Sequence, residues 1–385
     1  MRVMLATWAT ASHYFSTVIL AWALRAAGHE VRVVASPGVE DAVLRSGLPL
    51  TVIGPPLDLA SVWKGFGMLP DTGGDAAAHE RARSARALSM FTMGAEQTVD
   101  ELTGFARAFR PDVVVYEPRM YAAIKAAREV GAPAVRLLPG PDYTGTRREA
   151  EREALDELWE RLKLGDADPL GDLTLDPCPP GLQVDLPVVR QRMRFVPYNG
   201  PAIVPPWTAE PPSARRVFIS LGTLVATLTG QMSYVRDVIE AAASLDDVEV
   251  VLGVFGDQTA LLGPLDPRVR VVEDMPLHLL LPTCSAVVHH GGSGTLLTTM
   301  SAGVPQLVLS SVGDTLLNGR QITASGAGLA TVGLAGAAPE RIREALGSLL
   351  AEPSYGLAAR ALAAENTAQP AVGDVVRELE RLAAS

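Results

Sequence analysis

SAVVHHGGSGTLLTTMSAGVPQ, residues 285–306, decides how the rest of the chain is read. A short apolar run ends in His289 and His290, and Gly-Gly-Ser-Gly-Thr then opens into LLTTMSAG. A strand that turns through glycines into a helix leaves bare backbone N–H groups at the helix N-terminus. Those donors and the helix dipole favour negative charge together, so the stretch reads as an anion site. Glycines let a phosphate come close with no Cβ in the way, Ser293 and Thr295 add hydroxyl donors, and His290 can donate a further hydrogen bond. Other glycine-rich turns do not fit. A nucleophile elbow needs G-x-S-x-G, but Thr295 stands two residues after Ser293; a P-loop needs Lys after its last glycine, but Thr295 follows Gly294. A capped strand-to-helix turn that holds no ligand stays open as the plain alternative.

Working outward, apolar strands followed by helical stretches recur at VMLATW (3–8), VVVYEP (113–118), AVRLLP (134–139), VFISLG (217–222), VEVVLGVF (248–255) and PQLVLS (305–310). These runs do not alternate apolar with polar, which is the pattern of parallel strands covered by helices on both faces. The fold class is therefore α/β with parallel sheets. Its 385 residues exceed the roughly 250 to 300 at which single cores stop growing, so two domains are expected. The stretch YNGPAIVPPWTAEPPSARR, residues 198–216, is dense in proline, lacks any period and reads as the linker. The expected division is a first doubly wound domain over 1–197, the linker 198–216, a second over 217–371, and an amphipathic terminal helix over 372–385.

Composition narrows the function classes. Hydrophobic residues make up 48% and charged residues 20%, as in an ordinary globular protein, and the net charge of −10 argues against nucleic acid or an anionic membrane as partner. No apolar run reaches the roughly 18 residues that a membrane span needs, and the N-terminus reads as a first strand rather than a signal peptide. Two cysteines, Cys178 and Cys284, far apart, suggest neither a disulfide framework nor a zinc site and fit a cytoplasmic location. A dinucleotide-dependent oxidoreductase would carry G-x-G-x-x-G after its first strand. The loop here is Thr7-Trp8-Ala9-Thr10-Ala11-Ser12-His13, without the fingerprint.

VVHHGGSGT, followed by SAGVPQLVLSSVGDTLLNGRQITASGAGL, resembles the donor-binding signature of nucleotide-sugar-dependent glycosyltransferases of the GT-B fold, especially actinobacterial enzymes that glycosylate antibiotic aglycones. The likeness extends to an early histidine in the first βα loop, RAAGHEV after the first helix, MRFVPYNGPA before the linker and RVFISLGT opening the second half. It implies two Rossmann-like doubly wound domains facing a central cleft, the first binding the acceptor and the second the donor. It also implies that the terminal helix packs back on the first domain.

Carried onto this chain, the family pattern implies that His290, Gly292, Ser293, Gly294 and Thr295 hold the donor diphosphate, with Thr223 near the phosphates and the backbone at Met275 near the nucleobase. His289 reads either as structural or as a second phosphate contact. Asp314 matches the family's acidic sugar-binding residue, but Thr315 stands where glutamine is usual. The shorter hydroxyl suits a donor with fewer ring hydroxyls, hence a dTDP-deoxysugar. Asn318 is the next polar residue on that helix face.

His13 matches the family's catalytic base, and a histidine has a pKa suited to taking a proton from an acceptor hydroxyl near neutrality. Glu117, at a later strand end, stands where the family has an aspartate that orients this histidine. For the acceptor pocket the candidates are Trp63, Phe66, Met68, Phe91, Met93 and Tyr143, each of which reads equally as core. No DxD-type metal motif accompanies the diphosphate site, so no metal and no cofactor beyond the nucleotide-sugar co-substrate are expected. The reading is an inverting, metal-independent glycosyltransferase moving a deoxysugar from dTDP onto a hydrophobic natural-product aglycone. The alternative is a non-catalytic nucleotide-sugar-binding auxiliary protein of the same fold. A homodimer and a helper protein stay open as partners.

Overall fold

The computed structural model describes residues 1–57, 76–222, 233–254, 262–311, 313–332 and 338–384. The chain folds into two units, with residues 1–177, 185–193 and 370–385 in the first, and 178–184 and 194–369 in the second. Residues 198–216 thus belong to the second unit, and the terminal helix Val372–Ala384 to the first, where it packs on the helix Val18–Ala26.

The first unit is built on a seven-stranded sheet. Its strands are β1 (Arg2–Ala6), β2 (Glu30–Ala35), β3 (Leu50–Val52), β4 (Val113–Tyr116), β5 (Ala134–Leu137), β6 (Leu173–Asp176) and β7 (Arg190–Arg192), in the order β3-β2-β1-β4-β5-β6-β7. Every pairing is parallel. In the second unit β8 (Arg215–Ser220), β9 (Val248–Val254), β10 (Arg270–Glu273), β11 (Ala286–His289), β12 (Gln306–Ser310) and β13 (Gly328–Val332) form a six-stranded parallel sheet in the order β10-β9-β8-β11-β12-β13. All residues of β4, β11 and β12 are buried, which is why their sequences do not alternate apolar with polar.

Both sheets are doubly wound. The order reverses between β1 and β4 in one unit and between β8 and β11 in the other. Ligands of open α/β sheets bind beyond the carboxyl ends of the strands at such switch points. His13 and Glu117 follow β1 and β4; Gly222 and His290 follow β8 and β11. Among the described residues, no helix is long and apolar enough to cross a membrane.

Candidate active site

In the second unit, the two histidines at the end of β11 do different work. His289 is fully buried, and its Nδ1 accepts the Gly291 N–H at 3.1 Å. The proton of its neutral ring must therefore sit on Nε2, which donates to Gln306 Oε1 at 2.8 Å, and the Gln306 amide nitrogen donates to the Leu296 carbonyl. Burial, reinforced by the neighbouring His290, pushes the His289 pKa down to about 3. His289 is a neutral strut that sets the glycine loop.

The His290 imidazole lies in a slot walled by glycine. A Cβ on Gly222 would meet its Cε1 at 2.7 Å, and one on Gly292 would meet its Nε2 at 2.5 Å. Gly222 also has φ +74°, a conformation that side chains rarely adopt. Burial lowers the His290 pKa to about 4, so the ring is neutral near pH 7. A neutral imidazole still donates one hydrogen bond to an anion.

The helix Ser293–Ala302 starts at Gly292, whose N-cap position carries no side-chain cap. The Leu296 N–H bonds the Gly292 carbonyl at 2.9 Å, so the amides of Ser293, Gly294 and Thr295 lie ahead of the helical ladder. Gly294 is exposed, and a Cβ there would meet nothing within 4 Å. Thr298 and Thr299 bond back to the carbonyls of Gly294 and Thr295. Gly291 (φ +92°) packs against Val308 and Thr315.

Asp314 is exposed in the first turn of the helix Gly313–Ala324. Thr315 is buried beside Gly291, and its hydroxyl accepts the Ser311 N–H at 3.2 Å. Met275 packs its side chain into a core with Phe218, Leu277 and Leu280. Close by in sequence, the Asn199 amide joins the His278 backbone N–H to the Thr298 hydroxyl, a bridge that no sequence pattern announced. Thr223 lies outside the described residues.

In the first unit, His13 sits on the short helix Ala11–Phe15 after β1, and Glu117 directly follows β4 with its N–H on the Ala6 carbonyl at 3.0 Å. Strand pairing of β1 with β4 brings the two together: His13 Nδ1 is 2.9 Å from Glu117 Oε1. The carboxylate is 2% exposed, and its other oxygen accepts the Arg119 N–H at 3.0 Å. The histidine side chain keeps 33% of its surface open. A buried carboxylate, held at its other oxygen by the Arg119 N–H, thus faces a histidine that solvent and ligands can reach.

Phe91 and Tyr143 both meet the Arg119 guanidinium, at 4.9 and 5.8 Å from their ring centres, and Phe91 packs edge-on against Trp8 at 4.9 Å. Arg119 is anchored by the buried Glu151 and by the Tyr121 hydroxyl. Burial works against its charge, but Tyr121 and Glu151 outweigh that and hold its pKa above the ordinary value. Met93 is 42% exposed. Trp63, Phe66 and Met68 lie outside the described residues. The residues that sequence reasoning passed over are Trp8, Arg119, Gly222 as the wall of the His290 slot, and Gln306. Only Gly222, a glycine at a strand end, left a readable signal. Among the described residues, no group of three or more His, Cys, Asp or Glu side chains is placed to hold a metal ion.

The chain matches the family models for the N-terminal domain (residues 22–222) and the C-terminal domain (residues 236–382) of erythromycin biosynthesis protein CIII-like proteins. It is 34% identical to the 10-deoxymethynolide desosaminyltransferase of Streptomyces venezuelae, over 100% of this chain and 97% of that protein. It is 35% identical to the aclacinomycin-T 2-deoxy-L-fucose transferase of Streptomyces galilaeus, over 100% and 96%. Among solved structures, the glycosyltransferase VinC in complex with dTDP has a TM-score of 0.83 at 32% identity and covers 100% of both chains. The spinosyn rhamnosyltransferase SpnG has been solved with thymidine diphosphate, at a TM-score of 0.84 and 31% identity over 99% of this chain and 100% of that one. The same enzyme has also been solved with the spinosyn aglycone.

Proposed function

The chain belongs to the erythromycin biosynthesis protein CIII-like family of glycosyltransferases, and from that premise we propose that it transfers a deoxysugar from a dTDP donor to a hydrophobic polyketide aglycone, with inversion at the anomeric carbon. The relatives' names supply the donor and acceptor classes: desosaminyl and 2-deoxy-L-fucose transfer, dTDP, and 10-deoxymethynolide, aclacinomycin T and a spinosyn aglycone as acceptors. The observation that carries the catalytic reading over the auxiliary one is the 2.9 Å contact of His13 with Glu117 at the first sheet's switch point. A protein that only binds nucleotide sugars has no need of a buried carboxylate aimed at an accessible imidazole.

In this scheme Glu117 accepts the Nδ1–H of His13 and leaves Nε2 to take the acceptor's hydroxyl proton. The acceptor oxygen forms its bond to the anomeric carbon as the bond from that carbon to the diphosphate oxygen breaks. One displacement inverts the centre. dTDP leaves carrying the bonding electron pair, and the proton stays on His13 until solvent removes it. The growing negative charge is met by His290, the hydroxyls of Ser293 and Thr295, and the amides at the start of the helix Ser293–Ala302. Asp314 receives sugar hydroxyls, and Thr315 shapes the loop beside them. Because these groups stabilise the leaving diphosphate, the reaction is read as metal-independent.

Mass spectrometry of products from dTDP- and UDP-sugars with aromatic and macrolide aglycones tests the function. Transfer from dTDP-deoxysugars is expected, with EDTA leaving the rate unchanged. Transfer from UDP-sugars alone, or activity lost to EDTA and restored by Mg²⁺, would contradict the donor and metal assignments respectively.

A further inference from the structure

Asn318 lies one turn beyond Asp314 on the helix Gly313–Ala324 and is 1% exposed. Its amide nitrogen is 2.7 Å from the Gly291 carbonyl and 3.1 Å from Ser293 Oγ. A carbonyl oxygen only accepts, so the Gly291 contact fixes which end of the amide is nitrogen. Both N–H groups are then committed, one to Gly291 and one to Ser293. The Ser293 oxygen is an acceptor from Asn318, and its own O–H is left to donate elsewhere.

Asn318 Oδ1, in contrast, is buried with no partner among the described residues. A buried orphan of this kind is destabilising, and an apolar side chain of similar size would avoid it. The amide is therefore explained by what its N–H groups hold. They hold the same loop that His289 holds from the other side, since the Gly291 N–H goes to His289 and the Gly291 carbonyl to Asn318.

We infer that Asn318 is a positioning residue for the donor: it anchors Gly291 and turns the Ser293 hydroxyl into an oriented hydrogen-bond donor for a diphosphate oxygen of the nucleotide sugar. This rests on the reading of the glycine loop as the diphosphate site. Diphosphate oxygens at neutral pH only accept, so a serine whose proton pointed at a protein carbonyl would offer the anion a lone pair and repel it. Asn318 fills one Ser293 lone pair and takes the neighbouring Gly291 carbonyl, and among the described residues no protein group accepts the Ser293 proton.

Titration calorimetry with dTDP on the full chain tests this in a double-mutant cycle. Ser293→Ala is expected to weaken dTDP binding about tenfold, the loss of one charge-assisted hydrogen bond. Asn318→Ala weakens it at least as much. Adding Ser293→Ala to Asn318→Ala costs less than about threefold more, because the hydroxyl is no longer oriented. If thermal scans show that Asn318→Ala does not fold, Asn318→Leu, close to asparagine in size, carries the same cycle. Losses that multiply, or an Asn318 variant that binds as tightly as wild type, would overturn the assignment. Wild-type protein that takes up no dTDP would overturn the donor-site reading as well, whereas multiplied losses in a protein that binds dTDP overturn this assignment alone.

Discussion

Replacing Gly292 by alanine tests the donor loop with little ambiguity. Gly292 has φ −62° and ψ 138°, a conformation open to alanine, so the backbone itself resists nothing. The whole effect is the added methyl, which would stand 2.5 Å from His290 Nε2 and 3.0 Å from Cε1, about an ångström inside ordinary contact near 3.5 Å. The imidazole must therefore shift away from the added methyl and out of the position it holds between Gly222 and Gly292. Overpacking of this kind costs about 1–3 kcal/mol of stability. Loss of the His290 hydrogen bond to a charged ligand costs a further 1.5–3 kcal/mol or so of binding, which is roughly a ten- to hundredfold rise in Kd for dTDP. His290→Ala empties the slot, so Gly292→Ala should cost almost nothing more in that background. Denaturant unfolding and dTDP calorimetry on the four proteins of this cycle measure both effects. Stability losses that add independently, or a Gly292→Ala protein with wild-type affinity for dTDP, would refute the slot as the reason for the glycine.

Other consequences follow from the same geometry. Glu117→Gln keeps the size of the side chain but removes the charge that holds His13 in its tautomer; kcat is expected to fall by about a hundredfold or more while the calorimetric Kd for dTDP stays put. Burial sets the His289 and His290 pKa values at about 3 and 4, below the ordinary 6.5, so below pH 6.5 the unfolded chain binds protons that the folded chain refuses. Their contribution is complete above pH 6.5 and is lost as the pH falls towards 4, at about 1.4 kcal/mol per pH unit for each histidine. His289→Gln should flatten the measured stability slope between pH 6 and 4.5 by that amount, and an unchanged slope would mean that His289 is not held neutral.

The fold was legible because both sheets are covered on two faces, which leaves runs such as VVVY and AVV without any alternation of apolar and polar. The strand ends were legible for the same reason, and with them the positions of His13, Glu117 and His290. What separates His289 from His290 was not. Adjacent residues of one type are sorted by Gln306 on the next strand and by Gly222 at the end of β8, contacts that only pairing of β11 with β12 and β8 creates. Thr315 reads as a sugar contact because it stands where the resembled family has glutamine, and helix geometry turns it inward beneath Gly291 while Asp314 stays out. Phe91 and Tyr143 read as separate apolar candidates. Their common partner, Arg119, is a charged residue that no apolar pattern would flag.

The account turns on His13 as the base of a sugar-transfer reaction, and His13→Ala addresses that most directly. Calorimetry with dTDP and the mass-spectrometric transfer assay are run on the same preparation. The variant should bind dTDP as the wild type does, since its donor loop is untouched, and transfer about 10² to 10⁴ times more slowly. Transfer at the wild-type rate would contradict the central claim.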